Sequence, residues 1–534
     1  MPIEIPGTEI LNEWTLWTLA EKRVELGDKP FLAVDEDDRL TYGELFAKAT
    51  RLAASLRGLG VKQGETVATF GYNSTDQAVF LFACAALGAI WVPLNLSLVG
   101  ADLVYTLNDT NATNLIIDAE LLPKYEEVAD QVAIKRVFVR GEGEYDTSKY
   151  GSLLDLIAAD AGDFKPTPSD PHEPVAVIYT GGSTGMPKGV LASHTYFLGF
   201  ALRYQEIAAA TSDDIHYTGA LQLYHVGGQQ FTIVGPMFCG MSAFVSRWFS
   251  ASQYWERARA CKATIIDPNG PMMAAIMKQP ATDLDTQHDV RIAVGVGTGQ
   301  VSPHVRDDFE ERYKVPLMNV YGQTEVGGAL FVSERMGQRR VGASGKPGKW
   351  GEIAIHDERD RPLPPGEVGE LVARPAFPNM FGSGFLNKPE QAARASRNYW
   401  HHTGDLAYMD EEGFLFFIGR QAHWLRRRGE NISSYEVEQC IERVSGVAEV
   451  AVVGVPDREL GEEDVKAFIV SEAEGSVTPE AIYAYCKENL AYFKLPRYIE
   501  FVDSLPRSDA KKEIERHTLK ARPLGDCWDV RVAL

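Results

Sequence analysis

Six cysteines in 534 residues, none of them in a C-x-x-C pair, provide neither a zinc ribbon nor a disulfide framework. None of the 11 histidines stands in an H-x-x-x-H or H-E-x-x-H spacing, which excludes the common zinc sites. Basic charge is also short. The 53 Lys and Arg face 74 Asp and Glu, for a formal charge of -21, so most of the surface repels nucleic acid and anionic lipid and an anionic ligand must be captured locally. No apolar run approaches the roughly 20 residues of a membrane helix. The start MPIEIPGTEILNEW has no basic segment leading into an apolar core, and neither a CaaX cysteine nor a peroxisomal ending is present. A cytoplasmic chain with no nucleic-acid partner and no integral membrane association is expected; a homodimer is left open.

What is present is the composition of a folded enzyme, with 45% hydrophobic and 24% charged residues, in a length that exceeds one compact core. The stretch from Val175 to His194, VAVIYTGGSTGMPKGVLASH, says most. A β-branched run reads as a core strand, and Thr180, Gly181, Gly182, Ser183, Thr184 and Gly185 then allow the backbone to curl around a ligand. Consecutive N–H groups in such a loop form an anion nest, the hydroxyls add donors, and Lys188 supplies a mobile charge for a polyphosphate. The Walker pattern fails because Pro187 separates the glycines from Lys188 and a glycine follows it.

Apolar strands recur at 114–118, 135–140, 264–268 and 291–297, between helical patterns such as TYGELFAKATRLAASLRGLG, and predict an α/β core with largely parallel sheets. Around Gly345 the texture changes to Gly- and Pro-rich hairpins, a β subdomain. After GFLFFIGR, helix and strand patterns alternate again. The expected architecture is a large N-terminal domain of two α/β sheet subdomains plus a β subdomain, residues 1–421, and a small α+β domain, residues 422–534.

Further on, NVYGQTEVGG offers Tyr321 to stack on a base, Thr324 to donate to a phosphate and Glu325 to hold Mg²⁺ through oxygen, on a turn that includes Gly322 and Gln323. In YWHHTGDLAYMDEEGFLFFIGR, Asp405 can accept both hydroxyls of a ribose and Arg420 can donate to ribose or phosphate. In this order, the segments resemble the signatures of the adenylate-forming superfamily, which comprises acyl-CoA synthetases, luciferases and peptide-synthetase adenylation domains. The likeness runs from TYGEL at 41 to the terminal lysine segment and is greatest with acid–CoA ligases, with a look of the carnitine/crotonobetaine-CoA ligase branch.

The resemblance implies more. GVGTGQVSP at 295–303 occupies the place of a loop that contacts adenine, which makes Gly297, Thr298 and Gly299 nucleotide candidates, although Thr298, Gly299 and Gln300 depart from the family pattern. His225, with Val226 and Gly227 in LQLYHVGG, matches the entrance of the acyl pocket, to which Val296 and Gly297 also belong. GRQAHWLRRRGENISSYEVE aligns with the hinge and lid loop: His423 replaces the usual hinge aspartate, Gly429 would meet the thiol tunnel, and Arg428 would meet a CoA phosphate. In LPRSDAKKEIERHTLK, counting forward from Leu505 selects Lys512 as the adenylation lysine, whereas counting back from Ile514 puts Glu513 in that slot; Lys511 is the alternative.

The implied reaction couples a carboxylic acid to coenzyme A. MgATP converts the acid to an acyl-adenylate, pyrophosphate leaves, and the CoA thiol displaces AMP. Lys512, Lys188, Thr324 and Glu325 would carry the catalysis, with Lys188 holding the departing pyrophosphate. A carrier-loading adenylating enzyme, a luciferase-like oxygenase and a catalytically weakened nucleotide-binding homologue are the alternatives. The acid itself is not legible.

Overall fold

The computed structural model describes residues 9–182, 185–297, 303–334, 338–420, 424–427, 430–457, 462–473, 475–490, 492–507, 514–525 and 527–533. The chain divides into two compact units, residues 1–353 with 372–402, and residues 354–371 with 403–534.

The larger unit contains two mixed sheets. In the first, the strands Gly151–Ser152, Arg136–Arg140, Asn114–Asp118, Thr66–Phe70, Ile90–Pro93 and Pro174–Gly182 run parallel, and Gly185–Ser193 closes one edge antiparallel. In the second, Leu317–Gln323, Ile292–Gly297, Ile265–Ile266, Ile215–Tyr217, Ser242–Val245 and Pro30–Val34 are parallel, with antiparallel Gly328–Ser333 and Asp38–Thr41 at the edges. These are the α/β sheets that the β-branched runs predict, because strands covered on both faces read as continuous apolar stretches.

The helices follow from local sequence. Thr41 caps the helix Tyr42–Gly58, its hydroxyl accepting from Glu44 N while the Glu44 carboxylate accepts from Thr41 N, a reciprocal capping box. The next helix, Asp76–Leu87, is apolar all round and buried from Gln77 onward. Among the described residues no helix is long and apolar enough to cross a membrane.

The smaller unit contains a four-stranded sheet, in the order Val447–Asp457, Glu462–Ser471, Tyr498–Phe501 and Trp528–Asp529, with the helices Ser434–Ile441 and Pro479–Asn489. All six cysteines are free thiols. The architecture has the fold class expected from the sequence.

Two fully buried histidines of the larger unit make its stability depend on acid. His194 Nδ1 accepts from Leu16 N at 3.1 Å, and His216 Nδ1 lies 2.9 Å from Tyr204 Oη. Burial pushes both imidazoles down to about 3. Between that value and the ordinary 6.5, the unfolded chain binds protons that the folded chain does not, so stability rises with pH in this window and is lost as pH falls below about 6.5. Acidification from pH 7.5 to 5 should cost about 2 kcal/mol per histidine. Urea midpoints at the two pH values should differ less in His216→Gln than in the wild type. Equal losses in the two proteins would show that His216 titrates normally.

Candidate functional site

Parallel strands of one sheet end at one edge, and there open α/β sheets bind ligands. In the second sheet, Ile215–Tyr217, Ile265–Ile266, Ile292–Gly297 and Leu317–Gln323 all finish on that side, at Tyr217, Ile266, Gly297 and Gln323, and the chain continues from three of these ends toward His225, into Asp267 to Asn269, and into Thr324 and Glu325. Gly297 lies in register with Val320, beside Tyr321.

The glycine-rich segment from the first sheet is a β-hairpin, where the sequence suggested a loop ending in a lysine. Strand Pro174–Gly182 returns directly as Gly185–Ser193, so Lys188 sits within a strand opposite Thr180. Antiparallel pairing satisfies the backbone groups that an open loop would leave to a ligand. The Lys188 ammonium lies 5.4 Å from the centre of the Phe385 ring. The Thr180 hydroxyl lies 3.4 Å from both the Lys188 carbonyl oxygen and Glu325 Oε1, which compete for its single proton. The glycine-rich segment and the Tyr321–Glu325 segment thus meet side chain to side chain, through residues 145 positions apart.

Tyr321, Gly322 and Gln323 extend the strand that the sequence ended before a glycine turn, and the turn itself is the single 3₁₀ turn Thr324–Val326, capped by Gly327. Gly327 and Gly328 have φ of +81° and +88°, and a Cβ on Gly328 would fall 1.9 Å from Gln230 Oε1, so side chains are excluded there. Thr324 and Glu325 are half-buried. The carbonyls of this turn are bonded from behind: the Tyr196 hydroxyl donates to Thr324 O at 2.8 Å, Gly382 N to Glu325 O at 2.9 Å, and Arg203 Nη2 and Gln230 Nε2 to Gly327 O at 2.6 and 3.2 Å.

Sequence reasoning missed Tyr196, Arg203, Gln230 and Gly382. Arg203 had a signal. In the helix His194–Ala208, it shares one stripe with Tyr196 and Phe200, an ionic residue at a core position.

His225, half-buried, precedes the short helix Val226–Gly228 and lies ring to ring with Tyr224 at 4.4 Å. Val226 packs on the main core, and the π-helical turn Gln229–Val234 follows. Ser183, Thr184, Thr298, Gly299, His423, Arg428, Gly429, Lys511 and Lys512 lie outside the described residues, as do the side chains of Val296 and Arg420.

In the smaller unit, Asp405 lies within the strand His401–Met409, opposite Arg420 of Leu415–Arg420. The sequence placed it on a turn; the backbone instead bends within the strand, at Gly404 with φ of +70°. Gly404 N donates to Glu370 Oε1 at 3.1 Å, and Asp405 N to the Thr403 hydroxyl at 3.1 Å. Asp405 is 3% exposed.

Comparison with known proteins gives a consistent result. The profile of the AMP-binding enzyme family matches residues 19–381, and that of the AMP-binding enzyme C-terminal domain matches residues 436–512. The crotonobetaine/carnitine–CoA ligase of Salmonella typhimurium is 30% identical over 500 residues, covering 92% of this chain and 96% of the relative. The same ligase of Citrobacter koseri is 29% identical over 485 residues, covering 90% and 93%. Among solved structures, the anthranilate CoA ligase AuaEII in complex with anthranoyl-AMP is 27% identical with a TM-score of 0.86 and covers 96% of this chain and 97% of that one. ATP-bound MatB from Rhodopseudomonas palustris is 25% identical with a TM-score of 0.84, covering 94% and 98%.

Proposed function

The chain belongs to the AMP-binding enzyme family, and from that premise we propose how its residues divide the work of an ATP-dependent acid–CoA ligase. It is an AMP-forming ligase that works through an acyl-adenylate.

In the first step, a carboxylate oxygen of the acid attacks the α-phosphorus of ATP, the bond to the bridging oxygen breaks, and pyrophosphate leaves. Two anions must meet, so the positive groups carry the rate. Lys512 neutralises charge at the α-phosphate. Lys188, with the hydroxyls of Thr180, Ser183 and Thr184 among the glycines Gly181, Gly182 and Gly185, is assigned to the β- and γ-phosphates. Thr324 donates to the α-phosphate, Tyr321 stacks on adenine beside Gly297, and Asp405 and Arg420 bind the ribose. In the second step, the CoA sulfur attacks the acyl carbon, the carbon–oxygen bond to AMP breaks, and the thiol proton passes to solvent. By the family resemblance we assign residues 422–534 the part of a lid domain, with His423 as its hinge residue and Arg428 and Gly429 as its residues for CoA.

The residues present suit Mg²⁺: Glu325 is a half-buried carboxylate beside a hydroxyl, and Mg²⁺ is usually held by one or two carboxylates, with phosphates and waters completing its shell. Among the described residues no group of three or more His, Cys, Asp or Glu forms an all-protein cage. Bound there, the ion would neutralise phosphate charge. ATP and CoA are cytoplasmic pools, and we assign the reaction to that compartment.

The hydrogen bond from Thr180 to Glu325, which joins the two phosphate signatures, carries this reading. His225, Val226, Gly227 and Val296 are the residues we assign to the acid. The first candidates for it are crotonobetaine and carnitine, the substrates in the names of relatives that match over 90% or more of the chain. Acids offered with ATP and CoA should include these two and anthranilate. One of them should yield AMP and an acyl-CoA in equal amounts; ADP in place of AMP would overturn the assignment.

A further inference from the structure

Arg203 is fully buried, yet among the described residues only Nη2 of its three guanidinium nitrogens has an acceptor, the Gly327 carbonyl, and Nε and Nη1 have none. No carboxylate among the described residues lies within ion-pair distance of it. Burial without an anion depresses its pKa to about 10, which still leaves it charged at neutral pH. An unpaired buried cation is costly, and a group left in that state calls for a reason.

Packing does not supply one. Gly327 O already accepts from Gln230 Nε2 at 3.2 Å, so the turn would keep a donor without Arg203. On its own helix the neighbours are aromatic: Tyr196 and Phe200 lie on the same face, and all three residues are buried. What lies in front of the guanidinium is the Thr324–Gly327 turn, whose side chains face the nucleotide in the reading above. A field from a fixed charge in a dry interior is weakly screened and reaches across such a turn.

We propose that Arg203 is a positioning residue whose counter-charge is the nucleotide itself: its buried cation holds the Thr324–Gly327 turn from behind and supplies a standing positive field for the polyphosphate bound in front. The inference rests on the reading that ATP binds at this turn. The cost of the unpaired charge falls on the empty protein and is offset when the anion arrives. Nucleotide affinity is thereby exchanged against the stability of the empty state.

That exchange gives the proposal a distinguishing sign. Arg203→Met, near in length and apolar, should leave the thermal midpoint of the empty protein at or above that of the wild type, because replacing a buried charge by an apolar group of similar volume is often neutral or stabilising. The same variant should bind MgATP about tenfold more weakly by calorimetry. The loss should shrink from ATP to ADP to AMP as ligand charge falls. Arg203→Lys keeps the charge and should retain most of the affinity.

A residue that merely fills space predicts the opposite pattern, a lower midpoint for the empty protein with unchanged affinity, and that result would overturn the proposal. So would equal losses for ATP and AMP, or a lysine variant as weak as the methionine one. Should Arg203→Met not fold, Arg203→Gln drops the charge while keeping an amide donor and is read by the same criteria. Failure of the wild type itself to bind MgATP would count against the site reading, leaving the variants' midpoints to judge the cost of the charge.

Discussion

Lys512→Ala should lower acid-dependent exchange of pyrophosphate into ATP by about a thousandfold, while Lys511→Ala stays near the wild-type rate. The size follows from where charge develops. Attack by a carboxylate on a phosphate brings negative groups together, and a lysine placed at the α-phosphate in a water-poor site opposes that repulsion with little reorganisation. Thioester formation from a supplied acyl-adenylate no longer joins two anions and should be far less affected. The residues on either side of the segment are firmly held. Arg507 bridges to Ile514, Glu515 N donates to Pro506 O at 2.8 Å, and Arg516 Nη2 lies 2.8 Å from each carboxylate oxygen of the buried Glu438. A segment of six residues, 508–513, joins these paired ends, so shifting its lysine by one position redirects the charge. The family profile for this domain extends through residue 512. A loss confined to Lys511→Ala would move the role to that residue.

The parts of the fold that were legible are those written in short-range pattern. Continuous β-branched runs such as Asn114–Asp118 and Arg136–Arg140 declare strands covered on both faces, and Thr41 with Glu44 declares the start of a helix. What escaped depends on which segments pair, whether neighbours or distant ones. Nothing in TGGSTGMPKG distinguishes a loop from a hairpin until Gly185–Ser193 is seen to pair with the strand before it. TGD reads as a turn because glycine there takes a positive φ, but the bend at Gly404 lies within a strand that pairs Asp405 with Arg420. The site was legible as strings of reactive residues and not as a structure. Tyr196 and Gln230 are ordinary in sequence and Arg203 shows only as a charge on a core stripe; they matter because the helix His194–Ala208 and the π turn after His225 back onto carbonyls of residues more than 90 positions later. Local pattern cannot encode a contact over that separation.

Glu325→Gln should reduce adenylation about a hundredfold and raise the Mg²⁺ concentration needed for half-maximal rate. The substitution is chosen for what it preserves. Glutamine has the shape of glutamate, its amide oxygen can still accept from the Thr180 hydroxyl, and the backbone bond from Gly382 N to the carbonyl of residue 325 is untouched. Thr180→Val removes the 3.4 Å bond and leaves the carboxylate in place, so its effect should be much smaller. The two variants therefore separate geometry from charge. If residue 325 served only to shape the 3₁₀ turn, glutamine would be silent and Thr180→Val would match it. If it serves as the anionic ligand of a hard cation, glutamine is crippled although the turn is intact, and added Mg²⁺ recovers part of the lost rate. The field behind the turn sharpens the test: Arg203 attracts the polyphosphate but repels a cation, so a carboxylate at 325 is needed to keep Mg²⁺ where the nucleotide is drawn. Combining Arg203→Met with Glu325→Gln should therefore bring the Mg²⁺ concentration needed for half-maximal rate part of the way back from the raised value of the single Glu325→Gln substitution.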